Sequence, residues 1–193
     1  MVLLYYLEWG MKMNDRLAIA LLQLDEELTK KQLRLEIVIC GAYALQLSGY
    51  FRAEHTLDVD SITQLQSIEI KKIIESIGQK LNLGPLWLND QASTVSLPDG
   101  ILSRAKPIGN WKSISASLVS RPDLIKMKAS AFSIRRDQTN KDWEDLVLLK
   151  PTDREIQDAI LFIKKTNSPP KNASKKILSE FEETIRDLKK IVK

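Results

Sequence analysis

The chain has 193 residues and a mass of 22.0 kDa, with 44% apolar and 28% charged residues. That balance fits a globule with one domain, or one domain with a small helical appendage, and excludes a disordered acidic tail, a collagen-like chain and a disulfide-stapled miniprotein. The net charge is +4, from 29 basic and 25 acidic residues. A single cysteine, Cys40, rules out an internal disulfide. With only one histidine, His55, a His/Cys zinc site is not expected either. A reducing cytoplasm is the expected compartment. The apolar run Val2 to Leu7 is broken by Glu8. It is too short to span a bilayer and has no basic segment before it, so neither a membrane anchor nor a signal peptide is expected.

In chain order, Met13 to Lys31 reads as an amphipathic helix, with Asn14 as N-cap and Leu17, Ala20, Leu21, Leu24 and Leu28 on its apolar face. Glu36 to Cys40 holds the β-branched run Ile37-Val38-Ile39, which predicts a buried strand. Gly41 ends it and a helix follows over Tyr43 to Leu47. Thr56 to Ile62 predicts a second strand. Ser67 to Leu81 is helical, carried by Ile68, Ile70, Ile73, Ile74 and Ile77. Leu83 to Asn110 contains Pro85, Pro98, Pro107 and three glycines and reads as irregular, with room for a helical turn and a strand. Ser113 to Ser120 alternates small polar and apolar residues, as a strand with one wet face does. Further helices are expected over Asp123 to Ile134, Asp142 to Leu149, Asp153 to Lys165 and Ser174 to Val192. The last of these should turn Ile177, Leu178, Phe181, Ile185 and Leu188 inward.

This order predicts an α+β fold: a small mixed β-sheet flanked by helices over residues 1–150, with a C-terminal helical extension, 151–193, packed on it. Residues 150–193 carry 11 basic and 7 acidic side chains, which leaves 18 of each sign in the rest. The excess charge is therefore confined to the C-terminal helices. It reads as a solvated helical face or as a surface for nucleic acid or a partner.

One segment, Cys40 to Ile62, carries candidate chemistry. A strand runs into Gly41 and a helix, and the next strand bears Asp58 and Asp60. At a spacing of i, i+2 both carboxylates point to one face of a strand, with Cα atoms about 6.5 Å apart. Such a pair repels itself unless a cation lies between its members. Mg²⁺ suits it, because this ion takes oxygen ligands and keeps sites for substrate phosphates. The strand–Gly–helix junction offers backbone N–H groups to those phosphates. These are parts for metal-assisted phosphoryl or nucleotidyl transfer.

The run from Gly41 through Arg52 and Thr56 to Asp58 and Asp60 resembles the nucleotidyltransferase superfamily of the DNA polymerase β type. The likeness extends further, to an uncharacterised nucleotidyltransferase-like family related to the AbiEii toxins of abortive-infection systems. It continues through Trp87-Leu88-Asn89, Pro122 to Lys128, Asp142 to Leu149 and Pro151 to Glu155, and covers about residues 33–165. The resemblance implies that Asp58 and Asp60 are catalytic and hold Mg²⁺ or Mn²⁺, and that Gly41 and Ala42 receive nucleotide phosphates. It sets Arg52, Thr56 and Lys128 among the nucleotide-binding residues. It marks Asp142 and Asp145 as possible cleft residues, the alternative being a buried ion pair with Lys128 or Arg136.

The implied function is Mg²⁺-dependent transfer of a nucleotidyl group from an NTP to a hydroxyl of RNA or protein. The implied setting is the toxin-like half of a toxin–antitoxin or phage-defence pair, with an antitoxin protein as partner. Two features depart from the family pattern. Ala42 replaces the second Gly or Ser of the turn, and the strand Ser113 to Ser120 lacks the third carboxylate of active members. Asp90, Asp99 and Asp123 are the acids near enough in sequence to stand in. The competing readings are a catalytically degenerate module that binds nucleotide or a protein partner, and a structural component that uses its basic C-terminal helix.

Overall fold

The computed structural model describes residues 15–51, 56–135 and 141–192. Their course is α1 (Arg16–Lys30), β1 (Leu35–Cys40), α2 (Gly41–Leu47), β2 (Val59–Ser61), α3 (Ile68–Leu81), β3 (Leu88–Asn89), a 3₁₀ turn (Gln91–Thr94), α4 (Ile101–Arg104), β4 (Lys106–Ile108), β5 (Ile114–Leu118), α5 (Arg121–Arg135), α6 (Lys141–Leu149), α7 (Asp153–Thr166) and α8 (Lys175–Leu188). This is the expected α+β fold, with a mixed sheet and flanking helices. The chain forms two compact units. One gathers the described residues up to Val95 with Leu102–Val119, and the other gathers Ser96–Ile101 with the described residues from Ser120 on. Helices α5 and α6 thus group with the helices after residue 151. Among the described residues no helix is long and apolar enough to cross a membrane.

The first unit contains the whole sheet, in the order β3-β2-β1-β5-β4. β1 is central because it is apolar at almost every position: Leu35, Ile37, Val38, Ile39 and Cys40 are all buried. It runs parallel to β5 and antiparallel to β2. β2 runs parallel to β3, and β4 antiparallel to β5. Helix α1 buries Leu17, Ala20, Leu21, Leu24 and Leu28, each larger side chain contributing about 1.5–3 kcal/mol. Its N-cap is Asp15, whose carboxylate accepts from the Leu17 and Ala18 amides, and not the expected Asn14, which lies outside the described residues. Ser67 caps α3 in the same way. Ile68, the first residue of α3, is exposed, while Ile70, Ile73, Ile74 and Ile77 are buried.

Asp25 lies on the buried face of α1. Its Oδ1 accepts from the Ser113 and Ile114 amides at 2.7 and 3.0 Å, and its Oδ2 from the Lys112 amide at 3.0 Å. A hydroxyl pair between Thr29 and Ser113 adds a contact of 2.9 Å. One carboxylate thus satisfies the backbone donors at the entry to β5.

In the second unit α5 packs against α6, α7 and α8. Thr152 and Glu155 form a reciprocal capping box at the start of α7, and Arg121 donates to both carboxylate oxygens of Glu155 at 3.0 and 3.3 Å. Burial pushes the Glu155 carboxyl up, but the Thr152 amide, the Arg121 guanidinium and the Thr152 hydroxyl outweigh it and hold the group below its ordinary value. The sequence block Pro151 to Glu155 therefore has a local structural explanation. Helix α8 departs from expectation. Ile185 and Leu188 are buried, but Ile177 and Leu178 are 48% and 40% exposed. Phe181 is half-buried, so the covered face of this helix grows toward its C-terminal end.

Candidate functional site

The ladder of β2 is shorter than the Thr56–Ile62 strand that the sequence predicts. β1 offers β2 only Ile39 and Cys40, and β3 offers only Leu88 and Asn89. Asp60 therefore sits in the ladder, opposite Cys40 on one side and Asn89 on the other. Asp58 lies just outside it and is exposed. The two acids keep their spacing but are held differently. Asp58 Oδ1 accepts from the Thr56 hydroxyl at 2.6 Å. Asp60 Oδ1 accepts from the Asn89 side-chain amide at 3.1 Å. Both donors are neutral, so they orient the carboxylates without adding charge.

Gly41 follows Cys40 and opens α2 with φ of +69°. L-residues with a Cβ avoid that conformation. A Cβ here would also strike Asp60 Oδ2 and lie 3.1 Å from Asp60 Cγ. The glycine is thus required twice, by its own backbone and by the carboxylate that rests against it. Ala42 is the second residue of α2 and half-buried. Cys40, at the N-cap, offers no side-chain cap to the helix start. Gly41, Ala42, Thr56, Asp58 and Asp60 all belong to the first unit. Arg52 and His55 lie outside the described residues.

Trp87, Leu88 and Asn89 support this site from behind. Trp87 and Leu88 are each 1% exposed, and the Trp87 indole N–H donates to the Ile74 carbonyl at 2.8 Å. Asn89 Oδ1 accepts from the Gln91 amide at 3.1 Å, which turns Nδ2 toward Asp60. In the sequence this triplet stands out only through the family resemblance; the pairing of β2 with β3 brings Asn89 to Asp60.

The stand-in acids are otherwise engaged. Asp90, in the same unit as Asp58 and Asp60, accepts from the Leu65 amide at 2.8 Å. In the other unit, Asp99 accepts from Lys165 and Asp123 from the Ser120 hydroxyl. Among the described residues no group of three or more His, Cys, Asp or Glu side chains stands where it could hold a metal. β5 carries no acid.

Lys128, Asp142 and Asp145 meet in the second unit. The Lys128 ammonium lies 3.2 Å from Asp142 Oδ1 and 2.7 Å from Asp145 Oδ2, and Arg135 reaches Asp142 Oδ2 at 2.6 Å. Both acids are buried, and Lys128 is 9% exposed. This is the ion-pair arrangement of the two alternatives, with Arg135 as second cation; Arg136 lies outside the described residues. Lys126, two residues before Lys128, is half-buried. Phe132 and Trp143 pack at 5.3 Å between ring centroids.

A mixed sheet whose central strand runs through a left-handed glycine into a helix, with Asp60 on the adjoining strand and Asp58 just before it, fits a nucleotidyltransferase-like protein. Residues 19–189 match the family described as "Nucleotidyltransferase of unknown function (DUF6036)", and the chain belongs to that family. Comparison with curated proteins and with solved structures returned no match.

Proposed function

We propose that the first unit binds an NTP with Mg²⁺ or Mn²⁺ and transfers its nucleotidyl group to an acceptor hydroxyl on RNA or protein. The observation that carries this reading is the seat of Asp60 against Gly41, in a position only glycine permits. The donor set suits a hard divalent cation: two carboxylates, each with one oxygen oriented by a neutral donor. In this reading Asp58 and Asp60 hold the ion, and the backbone N–H groups of Gly41 and Ala42 receive phosphate, with the Ala42 Cβ narrowing the approach. Bound there, Mg²⁺ supplies Lewis-acid neutralisation of phosphate charge. A toxin-like role with an antitoxin partner is a further proposal and rests on the sequence resemblance alone.

Lys128 as a phosphate ligand requires phosphate to replace Asp142 or Asp145 at its ammonium, since two carboxylates already neutralise it. A second reading has its own support. With no third acid beside Asp58 and Asp60 among the described residues, the same site serves a module that binds nucleotide without turning it over.

The test uses each labelled NTP with Mn²⁺ or Mg²⁺ and total cellular RNA and protein. Label transferred by the wild-type chain and lost in Asp58→Asn/Asp60→Asn supports the enzyme. Metal-dependent NTP binding without transfer supports the binding module. Unchanged metal-dependent binding by the double variant refutes the site.

A further inference from the structure

We infer that Asn89 is the positioning residue for Asp60, fixing which carboxylate oxygen faces the proposed cation; this rests on the metal-site reading above. Asn89 sits on β3 directly across from Asp60 and is 8% exposed. Its amide is oriented without ambiguity. The carbonyl oxygen accepts from the Gln91 backbone N–H, so the NH₂ end must point at Asp60, and it donates to Oδ1 at 3.1 Å.

The opposite oxygen, Oδ2, rests over Gly41, where a Cβ would collide with it. The carboxylate is thus held from two sides: a donor on β3 takes one oxygen, and a bare Cα at the β1–α2 junction makes room for the other. Rotation about the Asp60 side chain would break the Asn89 bond. Among the described residues, the partner of Asp58 is Thr56, two residues away on the same exposed segment, and not a residue of a neighbouring strand. Asp60 is therefore the pre-oriented ligand of the pair and Asp58 the adaptable one. Partners that orient metal-ligating carboxylates typically change metal affinity 10–100-fold when removed.

The geometry also separates this role from a merely structural one. Asn89 makes two bonds, one to the Gln91 amide and one to Asp60. Serine can accept from the amide two residues on, as asparagine does, but its shorter side chain does not reach across to the neighbouring strand. Asn89→Ser therefore keeps the turn and loses the Asp60 contact, while Asn89→Ala loses both.

The experiment titrates the full chain with Mn²⁺ alone, read by electron paramagnetic resonance of the free ion, with thermal unfolding recorded for every variant. Asn89→Ser is expected to melt close to wild type and to bind Mn²⁺ about tenfold or more weakly. Asn89→Ala should lose the same affinity and melt lower. Wild-type Mn²⁺ affinity in a folded Asn89→Ser overturns the inference. Asp60→Asn is the control on the reading beneath it. If Asp60→Asn binds Mn²⁺ like wild type, the metal site itself is wrong. If Asp60→Asn loses the ion but Asn89→Ser keeps it, only the role of Asn89 falls.

Discussion

Replacing Gly41 by alanine tests the junction on which the candidate site depends. The residue has φ of +69°, and a left-handed conformation costs a residue with a Cβ about 1–2 kcal/mol. The new Cβ also strikes Asp60 Oδ2. Relief requires Asp60 to turn away, which gives up its bond from Asn89, a charge-assisted contact worth about 1.5–3 kcal/mol. Together these predict a loss of about 3–5 kcal/mol, a large share of the ~5–15 kcal/mol that holds an ordinary domain. Gly49 is the internal control. Its φ is +85° and a Cβ there meets nothing within 4 Å, so Gly49→Ala has only the conformational cost of about 1–2 kcal/mol. Urea unfolding followed by tryptophan fluorescence gives both values, and Mn²⁺ titration gives the second readout. Gly41→Ala should lose more stability than Gly49→Ala and lose Mn²⁺ affinity, which Gly49→Ala retains. Equal costs for the two variants, or wild-type Mn²⁺ affinity in Gly41→Ala, would refute the argument.

Three further outcomes follow from contacts outside the site. Asp25→Ala strips the carboxylate from the Lys112, Ser113 and Ile114 amides and should cost about 3–5 kcal/mol in urea unfolding; a loss below about 1 kcal/mol counts against the bracing role. Lys128→Met leaves Asp142 and Asp145 buried without their shared cation and should cost about 3–5 kcal/mol, whereas Arg135→Met, whose side chain is 51% exposed, should cost under about 1 kcal/mol. Glu155→Gln keeps an acceptor for the capping box but removes the charge paired with Arg121, and should cost about 0.5–1 kcal/mol at pH 7. Because the folded carboxyl lies below its ordinary 4.5, that contribution is full above this pH and fades as the pH falls through the folded value. A wild-type-to-variant gap that stays constant from pH 7 to pH 3 contradicts the assignment.

Much of this protein could be read from its residues because the signals are local. A β-branched run makes β1, a 3.6-residue apolar period makes α1 and α3, and a glycine between strand and helix marks the turn beside the paired acids. These depend on neighbours in sequence, and the same segment carries the resemblance to nucleotidyltransferases. Other features arise between segments far apart in the chain. That Gly41 is needed to make room for Asp60 follows from pairing β1 with β2. That Asn89 holds Asp60 follows from the parallel pairing of β2 with β3, and Asp25 finds its three amides 87 to 89 residues away. The end of β2 was set in the same way: β1 gives way to α2 at Gly41, just past the Cys40 that faces Asp60, which leaves Asp58 beyond the ladder. Helix α8 makes the converse point. Its periodicity fixes an apolar face, and only packing decides that Ile185 and Leu188 are covered while Ile177 and Leu178 are not, since amphipathicity records what a helix can bury and tertiary contacts record what is there to bury it.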